Sequence, residues 1–101
     1  MKSYLLCKNK ETLISLRLAG IEGRVLKDDE NIKESIEKLI EKKDIGIIII
    51  SEDIANENKS YIMEKKLTEK DTLIIQIPEP EGSKDSNYIM EYIQKTIGIK
   101  P

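Results

Sequence analysis

This sequence predicts an α/β fold: a four-stranded parallel sheet in the order 2-1-3-4, flanked by helices, with a terminal helix on a linker. Three observations predict it. Ile47, Ile48, Ile49 and Ile50 run without polar interruption, which marks a strand buried on both faces, as in the middle of a parallel sheet. Strand-like and helix-like segments alternate along the first three-quarters of the chain, the pattern of successive βαβ units. The alternation then stops at a stretch rich in proline, glycine and charge, beyond which one amphipathic helix remains.

The elements follow in order. Ser3 to Cys7 reads as the first strand. Asn9 to Thr12 is a polar break, and Leu13 to Ala19 reads as the first helix, with Leu13, Leu16 and Ala19 on one side and Ile14 and Leu18 adjacent. Gly20 is placed to stop that helix, because glycine readily takes the left-handed conformation of a C-terminal cap. Arg24 to Lys27 is a short strand whose charged ends suit a sheet edge. Asn31, with Glu34 three residues on, resembles a capping box. Ile32, Ile36, Leu39 and Ile40 lie at i, i+4, i+7 and i+8, one face of a helix that ends near Lys43.

The central strand spans Asp44 to Ile50. Ser51 is suited to cap the next helix, and Glu52 and Asp53 to face the positive end of its dipole. That helix is read from about Glu52 to Lys66, with Ile54, Ala55, Tyr61 and Ile62 inward and a polar Asn58 interrupting the stripe. Thr72 to Ile77 is the fourth strand, ended by Pro78, which cannot donate to a ladder. Residues 1–78 thus form one α/β block and 79–85 a linker. The last helix spans Ser86 to Ile97 within 86–101, with Ile89, Tyr92, Ile93 and Ile97 as its apolar stripe. A hinged helix of this kind either completes the core or docks on another protein.

Composition narrows the function classes. The chain has 101 residues and a net charge of −2, from 17 basic and 19 acidic side chains mixed along its length. A dedicated nucleic-acid binder would show a basic face interleaved with aromatics. The sequence has no His, no Trp and no Phe, so the commonest general base and metal ligand is missing. No cofactor or metal site is expected. The single cysteine, Cys7, cannot form an internal disulfide. No signal-peptide pattern is present and no apolar run approaches the ~18 residues of a membrane span. The expectation is a soluble cytoplasmic domain.

Two chemical readings compete with simpler ones. Cys7 ends the first strand ahead of a helix, where a thiol can be activated; small phosphotransfer domains of sugar-uptake systems use that geometry. Their loop needs glycine or serine so that backbone amides can cradle a phosphate, whereas this loop is CKNKET. A small apolar residue at a strand end explains Cys7 as well. Asp28, Asp29 and Glu30 form an acidic cluster, and Asp53 follows the central strand as a phospho-acceptor does in a receiver domain. Receiver chemistry also needs an acidic pair after the first strand, and Cys7 and Lys8 stand there. The cluster then reads as a cap for the second helix and Asp53 as a dipole partner, leaving a degenerate receiver-like adaptor as the second alternative. Arg17, between Leu16 and Leu18, is either a solvated side chain or an interface anchor.

Three motifs, taken together, resemble the F subunit of the V-type (A/V-type) ATPase. They are Arg17-Leu18-Ala19-Gly20-Ile21, IGIIIISEDIA from Ile45 to Ala55, and Ile77-Pro78-Glu79-Pro80-Glu81-Gly82 ahead of the terminal helix. The resemblance spans essentially the whole chain. It implies a receiver-like block without a phosphorylation site, acting as a non-catalytic component of the central stalk. The implied partners are the long antiparallel helices of the stalk's D subunit and the ring of catalytic A and B subunits. The resemblance places the contact surface on Arg17, on Pro78, Glu79 and Pro80, and on Ile89, Tyr92, Ile93 and Ile97 of the terminal helix. The first helix departs from the family pattern, with Ser15 and Leu16 before Arg17 in place of Gly and Phe.

Overall fold

The computed structural model describes residues 2–78. The linker over 79–85 and the helix read over 86–97 lie outside them. Strands β1 (Lys2–Cys7), β2 (Glu22–Val25), β3 (Ile45–Ser51) and β4 (Leu73–Ile77) alternate with helices α1 (Lys10–Leu18), α2 (Ile32–Glu41), α3 (Glu52–Glu57) and α4 (Lys59–Thr68). The four strands pair in parallel in the order β2-β1-β3-β4, the Rossmann-like topology that the sequence predicts.

The isoleucine run explains how the two layers form. Successive side chains on a strand point to opposite faces. Ile48 and Ile50 therefore join Leu6, Ile74 and the inward residues of α2, α3 and α4 in one core cluster. Ile47 and Ile49 join Leu5, Cys7, Ile75, Ile77 and Leu16 of α1 in the other. One face is covered by three helices and the other, among the described residues, by α1.

Several boundaries differ from the sequence reading, each for a local reason. Helix α1 begins at Lys10 rather than Leu13. Asn9 caps it, its side chain accepting from the Glu11 N–H at 2.8 Å, so the polar stretch is a helix start and not a break. The inward face of α1 is Thr12, Ser15 and Leu16, with Leu13 half-buried; Ile14 and Leu18 are 53% and 82% exposed. Its end behaves as predicted. Gly20 has φ +87°, the Gly20 N–H donates to Arg17 and the Ile21 N–H to Leu16; this is a Schellman cap.

Strand β2 lies two residues earlier than predicted, because Gly23 is the residue that can sit opposite Leu5. A Cβ at Gly23 would lie 2.6 Å from both the Leu5 Cβ and the Leu5 carbonyl oxygen. Asn31 caps α2 as read, accepting from the Lys33 and Glu34 amides. The long third helix of the sequence reading is two helices. Asn58 leaves the helical region (φ −133°, ψ 38°), and its Nδ2 donates to the Ile54 carbonyl at 3.0 Å, replacing backbone bonding at the break. Ser51 occupies the cap position of α3 but makes no side-chain cap bond; its Oγ is buried without a hydrogen-bond partner among the described residues. Pro78 follows β4 directly.

Candidate functional site

In an open parallel sheet, ligands gather beyond the carboxyl ends of the strands where the strand order reverses. Here that point lies between β1 and β3. A hollow of about 560 Å³ opens there between the loop after β2, the start of α2 and the break between α3 and α4. Three lysines reach it, Lys8, Lys27 and Lys33, and so do three carboxylates, Asp28, Glu30 and Glu57. Lys8 pairs with Glu57 across its rim. Among the described residues the opposite charges are equal in number, which favours neither an anion nor a cation by net charge.

The side chains that sequence reasoning nominated for chemistry are otherwise engaged. Cys7 is fully buried, and its Sγ donates to the Asn9 carbonyl at 3.3 Å. A thiol sealed in a core is inert towards a substrate. The first turn of α1, where a phosphate would be cradled, is occupied by the Asn9 side chain. Asp53 is exposed on α3 and does not line the hollow. Among the described residues, no group of three or more His, Cys, Asp or Glu side chains could hold a metal.

The acidic cluster at 28–30 does not cap α2, as the sequence suggested; Asn31 does. Glu30 works as a clamp instead. Its carboxylate takes both terminal nitrogens of Arg24, one of them at 2.7 Å, and also accepts from Ser35 Oγ and the Lys27 N–H. The Arg24 guanidinium holds the Glu30 carboxyl down at about 2, with Ser35 and the Lys27 amide adding to the effect. Edge strand β2, the loop after it and α2 are thereby tied to one group. A second polar cluster joins α2 to α4. The Tyr61 hydroxyl donates to Glu37, which also pairs with Lys65 at 2.6 Å. Lys65, then Tyr61, keep the Glu37 carboxyl below its usual range. Burial, then Glu37, push the Tyr61 hydroxyl above its own. No hydrophobic period announced either cluster, since both are built from polar side chains on different elements.

Of the residues nominated for a partner interface, two fall within the described residues. Arg17 is exposed near the C-terminal end of α1 beside the exposed Leu18, and forms no ion pair among the described residues. Pro78 is half-buried at the exit from β4. They stand on different elements. Glu79, Pro80, Ile89, Tyr92, Ile93 and Ile97 lie outside the described residues. No described helix is long and apolar enough to cross a membrane.

The arrangement is thus a well-packed α/β block whose candidate nucleophile is sealed and whose polar clusters tie its own elements together. No curated protein matches the chain significantly. A family model described as ATP synthase (F/14-kDa) subunit matches residues 7–97, from the end of β1 through the segment read as the terminal helix. With that match over most of its length, the chain belongs to the ATP synthase F-subunit family.

Proposed function

We propose that this chain is a non-catalytic central-stalk component of a V-type or A-type ATPase. It binds the antiparallel helices of the stalk's D subunit and supports coupling between ATP turnover in the ring of A and B subunits and ion translocation. The family match over residues 7–97 carries this reading. The match takes in the segment beyond Pro78 as well as strands β2, β3 and β4, so the reading rests on more than a widespread fold, which by itself implies no function. The sealed Cys7 and the self-capped start of α1 favour a binding role over phosphotransfer.

In the complex the protein sits on the cytoplasmic side, attached to the membrane through its neighbours. Arg17, with Pro78, Glu79 and Pro80, contributes to the contact surface. Ile89, Tyr92, Ile93 and Ile97 supply an apolar stripe to the stalk and the ring.

Affinity purification of the tagged protein from its own cells tests this reading. Recovery of the D subunit together with the A and B subunits is the expected outcome. Recovery of sugar-transport phosphocarriers, or of a kinase, without ATPase components would overturn it. The pair of changes Ile93→Asp and Ile97→Asp separates the roles of block and tail. Assembly or coupling should weaken while the melting transition of the sheet persists; global unfolding would make that helix part of the core.

A further inference from the structure

Among the described residues, strand β4 is an edge strand without the usual protection. Its sequence, LIIQI, has no charge and no proline, and it pairs with β3 alone among the described residues. The opposite edge, β2, carries Glu22 and Arg24. Exposed apolar edges invite pairing, so natural proteins blunt or cover them.

Beside this edge, on the face carrying α3 and α4, lies a hollow of about 350 Å³. Ala55, Ile62 and Met63 give it an apolar lining, Gln76 of β4 reaches into it, and Lys59 and Lys66 stand at its rim. No carboxylate of the described residues lines it. Neither lysine has an ion-pair partner, and the Gln76 amide has no hydrogen bond, among the described residues. Along the outside of α4, Met63 and Leu67 are 63% and 79% exposed. They sit one turn apart, flanked by the same lysines. Lys65, on another side of the helix, is already held by Glu37. Among the described residues, an exposed apolar pair with two unpaired cations beside an open sheet edge is an incomplete surface.

We propose that the hollow between α3, α4 and the β4 edge seats an amphipathic helix of the stalk partner, one whose apolar stripe is flanked by carboxylates. This rests on the stalk reading and names the face by which the block is held. Charge complementarity selects the occupant. Carboxylates two turns apart on a helix match the spacing of Lys59 and Lys66, while its apolar stripe covers Met63 and Leu67. Helix α4 has ten residues and so is about 15 Å long, which matches a helix laid alongside it. An anionic lipid surface would attract the same lysines. A concave hollow with an amide in it, and two apolar residues on a ten-residue helix, fit a protein helix better than a bilayer.

The test measures binding of the full-length chain to the purified D subunit at low and moderate salt. Three double variants accompany the wild type: Lys59→Glu with Lys66→Glu, Met63→Ser with Leu67→Ser, and Lys38→Glu with Lys42→Glu as a control of equal charge on and just after α2. The first two should weaken binding roughly 10- to 100-fold, the first with a reduced salt dependence, and the control should bind as wild type. All the substituted side chains are exposed, and circular dichroism verifies that each variant is folded. If the wild type binds its stalk partner and the first two variants match it, this surface is wrong and the stalk reading stands. If the wild type does not bind that partner, the stalk reading fails and the inference falls with it. If the lysine variant loses only sedimentation with phosphatidylglycerol vesicles and keeps its affinity for the stalk partner, the face is a lipid contact and the proposal is overturned.

Discussion

The Glu30 carboxylate accepts from four donors on three segments, so its protonation is a folding event as well as an acid–base one. Its carboxyl sits at about 2 when folded, against an ordinary 4.5. A depressed folded value means that the stabilisation is complete above the ordinary value and is lost as pH falls from about 4.5 through 2. The Arg24 side chain is 42% exposed, and solvent screening trims the contribution to about 1–2 kcal/mol. Glu30→Gln should therefore lower the melting temperature at pH 7 by roughly 5–10 °C. It should also flatten the loss of stability between pH 5 and 2; an unchanged acid limb in thermal melts would exclude Glu30 as its source. Gly23 makes a different demand at the same edge. The oxygen that a new Cβ would meet belongs to the β1 backbone and has no rotamer to escape into. Gly23→Ala should cost about 2–3 kcal/mol as an overpacked site, measured by urea unfolding, and a neutral result would mean that β2 can peel from β1. Neither role was legible in the sequence. Glu30 looked like one of three acids before a helix, and Gly23 fell outside the predicted second strand, because each is defined by a partner on a neighbouring element.

At the scale of elements, what could be read depended on whether the signal was local. Strand β3 was legible because four consecutive isoleucines demand two buried faces, and α2 because its stripe repeats over two turns above a good cap. The start of helix α1 was not, because Asn9 resembles a loop residue until its side chain is seen on the Glu11 amide. Its inward face was obscured too, because the small polar Thr12 and Ser15 are buried while Ile14 and Leu18 are exposed. Asn58 divides α3 from α4 where periodicity alone runs through. The nominated interface stays an expectation, since isolated exposed residues such as Arg17 carry no pattern and the terminal stripe lies outside the described residues. Met63 and Leu67 do carry one, as apolar residues off the inward stripe. The Schellman end of α1 was fully local. With φ +87° at Gly20 and open space around its Cα, Gly20→Ala costs only backbone strain. It should destabilise by about 1 kcal/mol, several degrees in a melting experiment, while Gly20→Asn should cost less because asparagine tolerates the left-handed region.

At the scale of the whole block, the two sheet faces are unequal among the described residues. Three helices and the Tyr61–Glu37–Lys65 cluster cover one face, so that α2 and α4 are tied across a packed core. Such a block transmits load, because close-packed interiors yield little under strain. Carrying torque needs nothing else from it except a firm grip on its neighbours, and on the stalk reading every reacting group belongs to other components of the complex. The consequence can be measured on a reconstituted ATPase assembled with and without this chain. On the stalk reading, ATP hydrolysis should persist in its absence, since that reading gives nucleotide handling to other components. The same reading expects the number of ions moved per ATP to fall, because the shaft would lose a contact that keeps its rotation in step with the ring. If hydrolysis itself disappears in a complex whose A, B and D subunits remain assembled, the chain does more than connect. Its groups near the switch point, Lys8 and Glu57 first, would then have to be tested for a part in the catalytic cycle.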